Sequence, residues 1–169
     1  MTSQCRQNYH EECEGLINRQ INVELSAAYS YLVLATHFDR DDVGLKKVHE
    51  KLLHESHEER KHAEMFIEYQ NKRGGRVFFQ DIPVSSVTEV RSVAEAFRTA
   101  LTMEKSVNGF LLEIHEAALK YHDAHLCHFI KTHFLVEQVD SIKEFGDAVT
   151  NALRAGEGLG EFLMNHHLD

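Results

Sequence analysis

Apolar side chains return at helical spacing along most of this chain. From about His10 to Asp39 the positions Leu16, Ile17, Ile21, Leu25, Ala28, Leu32 and Ala35 recur at three- and four-residue steps, which lines them along one stripe of a helix. The pattern breaks at "DRDDVGL", Asp39 to Leu45. A second helical stretch carries Val48, Leu52, Ala63, Phe66 and Tyr69 and stops at "RGG", Arg73 to Gly75, where glycine suits a helix C-terminus. "RVFFQDI" then has a β-like pattern, and with the only proline, Pro83, the run to Val90 reads as extended chain. A third helix is expected from about Ser92 to Tyr121 and a fourth from about Asp123 to Leu153. "RAGEGLG" interrupts again, and "LGEFLMNHHL" forms a short amphipathic segment with Leu159, Leu163 and His167 on one face.

The connections constrain how these helices pack. Short loops make the first and second antiparallel neighbours, and likewise the third and fourth. About 17 residues lie between the second and third, enough to reach roughly 55 Å. A helix of about 27 residues is roughly 40 Å long. The connection can therefore traverse the bundle and start the third helix from the far end. The expected fold is all-α, a four-helix bundle with one long crossover plus a short C-terminal fifth helix, in a single domain over 1–169.

Composition narrows the function without fixing it. The 169 residues suffice for one domain with a sizeable core, and 43% hydrophobic content excludes a disordered chain. No apolar run approaches the ~20 residues of a membrane helix. The start, "MTSQCRQNYHEECEG", lacks the basic and apolar regions of a signal peptide, so a cytoplasmic protein is expected. A formal net charge of −9 argues against nucleic-acid partners and suits a surface that handles cations, although ordinary acidic solubility explains it equally well. Cys5, Cys13 and Cys127 are odd in number and show no C-x-x-C spacing, which points to reduced thiols.

The chemistry concentrates in "LHESHEERKHAEMF", Leu53 to Phe66, with three histidines and four glutamates. The zinc-protease spacing is not met, because His57 and His62 stand five apart, about 140° around a helix. Glu59 and His62 stand three apart, about 60°, and can hold one ion; Glu-x-x-His is the di-iron carboxylate spacing of helix bundles. Glu24 interrupts the apolar stripe of the first helix, and Tyr31 follows it seven residues on, in nearly the same direction. Glu104 sits beside Leu101 and Val107 in the third helix, and Gln138 between Leu135 and Ile142 in the fourth. A lone carboxylate in an apolar stripe is costly, and several converging on divalent cations offset that cost. Each residue alone has a plainer reading: Glu24 and Glu104 at a solvent edge, Glu58 on the surface, Tyr31 in the core. Only their conjunction points to a metal centre.

Over essentially its whole length the chain resembles the ferritins, and among them the heavy-chain type. "INRQINVELSAAYSYL", "FDRDDVGL", "SHEERKHAE", "QNKRGGRVFFQDI", "HLCHFI", "VEQV" and "GLGEFL" carry the resemblance, in the family's order. It implies a ferritin-like bundle that assembles into a hollow cage of twenty-four subunits, alone or with other ferritin subunits. It also implies oxidation of Fe(II) with dioxygen and storage of Fe(III) mineral inside. Matched by position, Glu59 would bridge two irons, Glu24 and His62 would complete the first site, and Glu104 would hold the second, supported by Gln138 and Glu58. Tyr31 would hydrogen-bond a ligand and donate an electron. Light-chain ferritins lack this full set.

Two departures from the family pattern stand out. In "AHLCHFIKTHF", His128 and Lys131 replace the acids that line a three-fold pore together with His115 and Cys127. In "EERKHAE", Lys61 replaces a glutamate near the inner surface, leaving Glu58 and Glu64 as candidates for mineral nucleation. Two other readings stay open: a di-iron oxygenase that retains its cofactor, and a structural cage subunit with impaired iron influx.

Overall fold

The helices form where the apolar stripes place them. In the computed structural model, which describes residues 3–83 and 90–168, α1 spans Glu11–Phe38, α2 Lys46–Lys72 and α3 Val93–Lys120. The fourth helix, α4, is continuous through three stretches: Ala124–Ile130, a π-helical segment Lys131–Leu135, and Val136–Ala155. A short α5, Leu159–His167, follows. No strand occurs among the described residues.

Side-chain bonds give the helix directions. Ser56 Oγ donates to the carbonyl of Ala28 at 2.7 Å, and His49 Nδ1 lies 2.9 Å from that of Ala35, so α1 and α2 run antiparallel. Arg19 pairs with Glu113 and Tyr31 with Glu104, which makes α1 antiparallel to α3. Rings of Phe66 and Phe134 stack while Lys51 meets Glu144, so α2 and α4 are antiparallel as well. Helices α2 and α3 consequently point the same way, and the chain between them has to return along the bundle. This is the crossover that the loop lengths anticipated.

The β-like "RVFFQDI" does not form a strand, because no second strand lies beside it among the described residues. Asn18 takes the partner's place from α1: its Oδ1 accepts from the Phe78 N–H at 3.1 Å and its Nδ2 donates to the Arg76 carbonyl at 2.9 Å. Glu14 Oε1 accepts from the Arg76 N–H at 2.7 Å. The crossover is thus pinned by side chains rather than by a ladder. Its expected continuation over residues 84–89 lies outside the described residues.

The helix ends are chemically specified. Gly74 adopts φ +77°, closes α2 with bonds from Gly75 N–H to Gln70 and from Gly74 N–H to Asn71, and has the Arg6 backbone so close that a Cβ would collide with it. The same pair of bonds closes α3, but there the left-handed residue is His122, at φ 55°. At the start of α2, Asn165 Oδ1 of α5 accepts from the N–H groups of Lys47 and Val48, and Glu161 of the same helix accepts from Val93 N–H at the start of α3. So α5 docks on its own bundle through Asn165, while Leu159, Phe162 and Leu163 stay exposed.

Two apolar clusters fill the bundle, one around Ile17, Phe66, Leu111 and Phe134, the other around Leu34, Leu52, Phe97 and Phe145. Leu32, expected in the stripe, is 40% exposed beside Tyr29, because the buried face of α1 turns through Tyr31 and Leu34 instead. Glu24, Glu59, Glu104 and Gln138 are buried polar residues at the junction of the two clusters.

Candidate metal centre

Each helix of the bundle contributes to this polar layer. Glu24 of α1 is fully buried; Gln20, one turn earlier on the same face, donates to its Oε1 at 2.7 Å. The other oxygen, Oε2, has no hydrogen-bond partner among the described residues. Glu59 and His62 of α2 meet through Oε2 and Nδ1 at 3.0 Å, as their i, i+3 spacing requires. Ligand atoms of Glu24, Glu59 and His62 all lie within 4.8 Å of one another. A buried carboxylate oxygen without a donor is a cost, which a proton shared with the facing Glu59 or a bound cation removes.

The second half of the layer is arranged differently. Tyr31 donates to Glu104 Oε1, and Gln138 donates to Glu104 Oε2 and to its carbonyl. Both carboxylate oxygens of Glu104 are therefore occupied, and Glu104 stands apart from the Glu24–Glu59–His62 group. Tyr31 is itself wedged on the ring of Phe145, 6.1 Å between centroids.

Burial and mutual repulsion raise the pKa of each of these acids. Desolvation, with the Glu59 charge, raises Glu24 well above the usual carboxylate range. Desolvation and the Glu104 charge push Glu59 up to about 8. Glu104 is raised by desolvation, against which the donors Tyr31 and Gln138 act. Tyr31 is raised by its own burial and by Glu104, so it stays a phenol. A divalent cation in this layer would displace protons from the carboxyls and supply the charge they lack. Oxygen-rich ligation with one imidazole suits iron.

The remaining sequence candidates lie elsewhere. Glu58 is paired with Lys61, which lowers its pKa, and Glu64 is exposed and paired with Arg60 at 3.2 Å. His115, Cys127 and His128 flank the turn between α3 and α4, partly or fully exposed and outside the layer. Sequence reasoning passed over three neighbours. Gln20 was legible as a polar residue one turn before Glu24. Glu137, whose Oε2 is 3.3 Å from His62 Nε2, and Glu55, whose charge acts on Glu59 and which Lys51 meets at 3.5 Å, look like ordinary surface acids in sequence.

A family model described as a ferritin-like domain matches residues 14–155, most of the chain and all of this layer. The chain belongs to the ferritin family. Ferritins bind iron, and in this ferritin the one group of three metal-capable side chains among the described residues is the Glu24–Glu59–His62 cluster. No described helix is long and apolar enough to cross a membrane.

Proposed function

We propose that this ferritin, of the heavy-chain type, oxidises Fe(II) with dioxygen at the buried carboxylate–histidine layer and stores the ferric product as mineral inside a twenty-four-subunit cage. The observation that carries the reading is the convergence of Glu24, Glu59 and His62 within 4.8 Å around an unpartnered carboxylate oxygen. Iron is substrate here. Glu24 and His62 hold the first Fe(II), Glu59 reaches both ions, and Glu104 takes the second after releasing Tyr31 or Gln138. Two Fe(II) lose one electron each, and dioxygen accepts both together with two protons. The carboxylates favour Fe(III) over Fe(II), which helps the electrons leave. Gln138 is neutral where a carboxylate would add charge, so the ferric product leaves more readily.

Assembly into a cage is supported by apolar side chains that one subunit leaves exposed: Tyr29 and Leu32 on α1, Phe78 and Phe79 on the crossover, and Leu159, Phe162 and Leu163 on α5. The free thiols Cys5, Cys13 and Cys127 fit a reducing cytoplasm.

The test is a variant with Glu59→Ala and His62→Gly, assayed by stopped-flow oxidation of Fe(II). The expected result is an assembled particle whose rapid oxidation falls by more than about 100-fold, beyond what loss of an outer-shell partner costs. Oxidation at the original rate would refute the assignment. Iron content separates the other readings: a retained di-iron cofactor gives two irons per chain, and mineral storage gives hundreds per particle.

A further inference from the structure

Between the last turns of α2 and the first turns of α4 lies a cavity of about 320 Å³. Met65, Glu68 and Tyr69 line it from α2, and His125, His128 and His133 from α4. We propose that these three histidines form a second metal site, separate from the buried layer, that takes a borderline ion such as Zn(II) or Cu(II).

The backbone explains the convergence. On an unbroken α-helix, His128 and His133 would point about 140° apart. The π-helical segment Lys131–Leu135 begins between them, and its wider turn swings His133 back toward the face of His125 and His128. His125 is oriented by its inner nitrogen, and His128 more loosely by the same atom. His125 Nδ1 lies 3.2 Å from Tyr69 OH, and His128 Nδ1 lies 3.4 Å from Thr132 Oγ1. Among the described residues neither Nε2 has a hydrogen-bond partner. Ligation at Nε2 puts the proton on Nδ1, where Tyr69 or Thr132 accepts it, the arrangement by which outer partners fix metal-binding imidazoles.

The donor set selects the metal. Three imidazoles, with the Met65 thioether and the Glu68 carboxylate at hand, favour zinc or copper over a hard cation. Lys72 also lines the cavity and opposes a cation; its exposed side chain makes no ion pair among the described residues and can turn to solvent. The imidazoles are not yet closed to ligand distance, and His128 and His133 are exposed and free to rotate inward. Phe129 and Phe134 divide this cavity from the buried layer: Phe134 packs on His62 at 5.4 Å and on Phe129 at 5.4 Å.

Titration of the assembled, iron-free protein with Zn(II) tests the site, with Cu(II) electron paramagnetic resonance as a second readout. The wild type is expected to lose one zinc equivalent per chain on the change His128→Ala with His133→Ala, and to keep that equivalent on Glu59→Ala with His62→Gly. Cu(II) in that equivalent should show coupling to three nitrogens. Unchanged zinc stoichiometry in the histidine variant would overturn the proposal. So would loss of one equivalent per three chains, which marks a site on a symmetry axis, or coupling to a single nitrogen. None of these outcomes depends on the rate of iron oxidation, so the two readings stand or fall apart.

Discussion

Glu59 carries a carboxyl that desolvation and the Glu104 charge push up to about 8. In the unfolded chain a glutamate titrates near ~4.3. Between those two values the folded protein holds a proton that the unfolded chain has released, so stability falls as pH rises through the window and levels off above it. Metal-free protein should therefore unfold at lower denaturant at pH 8 than at pH 5, and Glu59→Gln should shrink that difference; unfolding curves in the presence of chelator check it. The same proton must leave when a cation binds, so metal affinity at the layer should rise with pH across this window. Sequence showed Glu24 and Glu104 as acids among apolar positions, and Glu59 through its three-residue spacing to His62. The resemblance set Glu104 in a second site with Gln138 and gave Tyr31 a ligand as partner; spacing alone did not show that this ligand would be Glu104, because that depends on which acceptors the other helices bring.

Helix ends decide more at the next scale than helix middles. Asn165 satisfies two first-turn N–H groups of α2 from a buried position. Asn165→Ala should lower stability by about 1 kcal/mol, the cost of a lost cap. Asn165→Asp, which keeps the acceptor, should recover most of it. Removing the chain from Gly158 onward takes Glu161 away as well, so the truncated subunit should be less stable in addition to assembling poorly. At the other end of α3, His122 holds a left-handed conformation that costs an L-residue roughly 1–2 kcal/mol. His122→Gly should raise stability by up to about 1 kcal/mol, read from the same curves. The helix bounds were legible to within two residues because stripes and stop signals coincide. The π-helical segment was not expected, yet it left a trace: Leu126, Ile130, Phe134 and Gln138 are all buried and advance by four. Such spacing drifts about 40° per step on a regular α-helix, and the wider turn cancels the drift.

For the whole molecule, the long crossover could be deduced because length is a geometric constraint that any fold must meet. Association could not be read at that level of detail, since a single chain shows only which apolar side chains remain uncovered. Lys131 and His128 are both exposed at the start of α4, and Lys131 makes no ion pair among the described residues. If three copies surround an iron pathway there, their ammonium groups repel divalent cations. Changing His128→Asp together with Lys131→Glu should speed Fe(II) uptake, most at low ionic strength where screening is weakest. Stopped-flow oxidation at two salt concentrations checks this, and equal rates would place iron influx elsewhere. The docking of α5 has a consequence in time as well. A ribosome delivers this helix after all four long ones, so α2 and α3 emerge with their first turns still lacking Asn165 and Glu161. A released chain that ends before Gly158 should be cut by protease near Lys46 and Val93, and the full chain should resist those cuts.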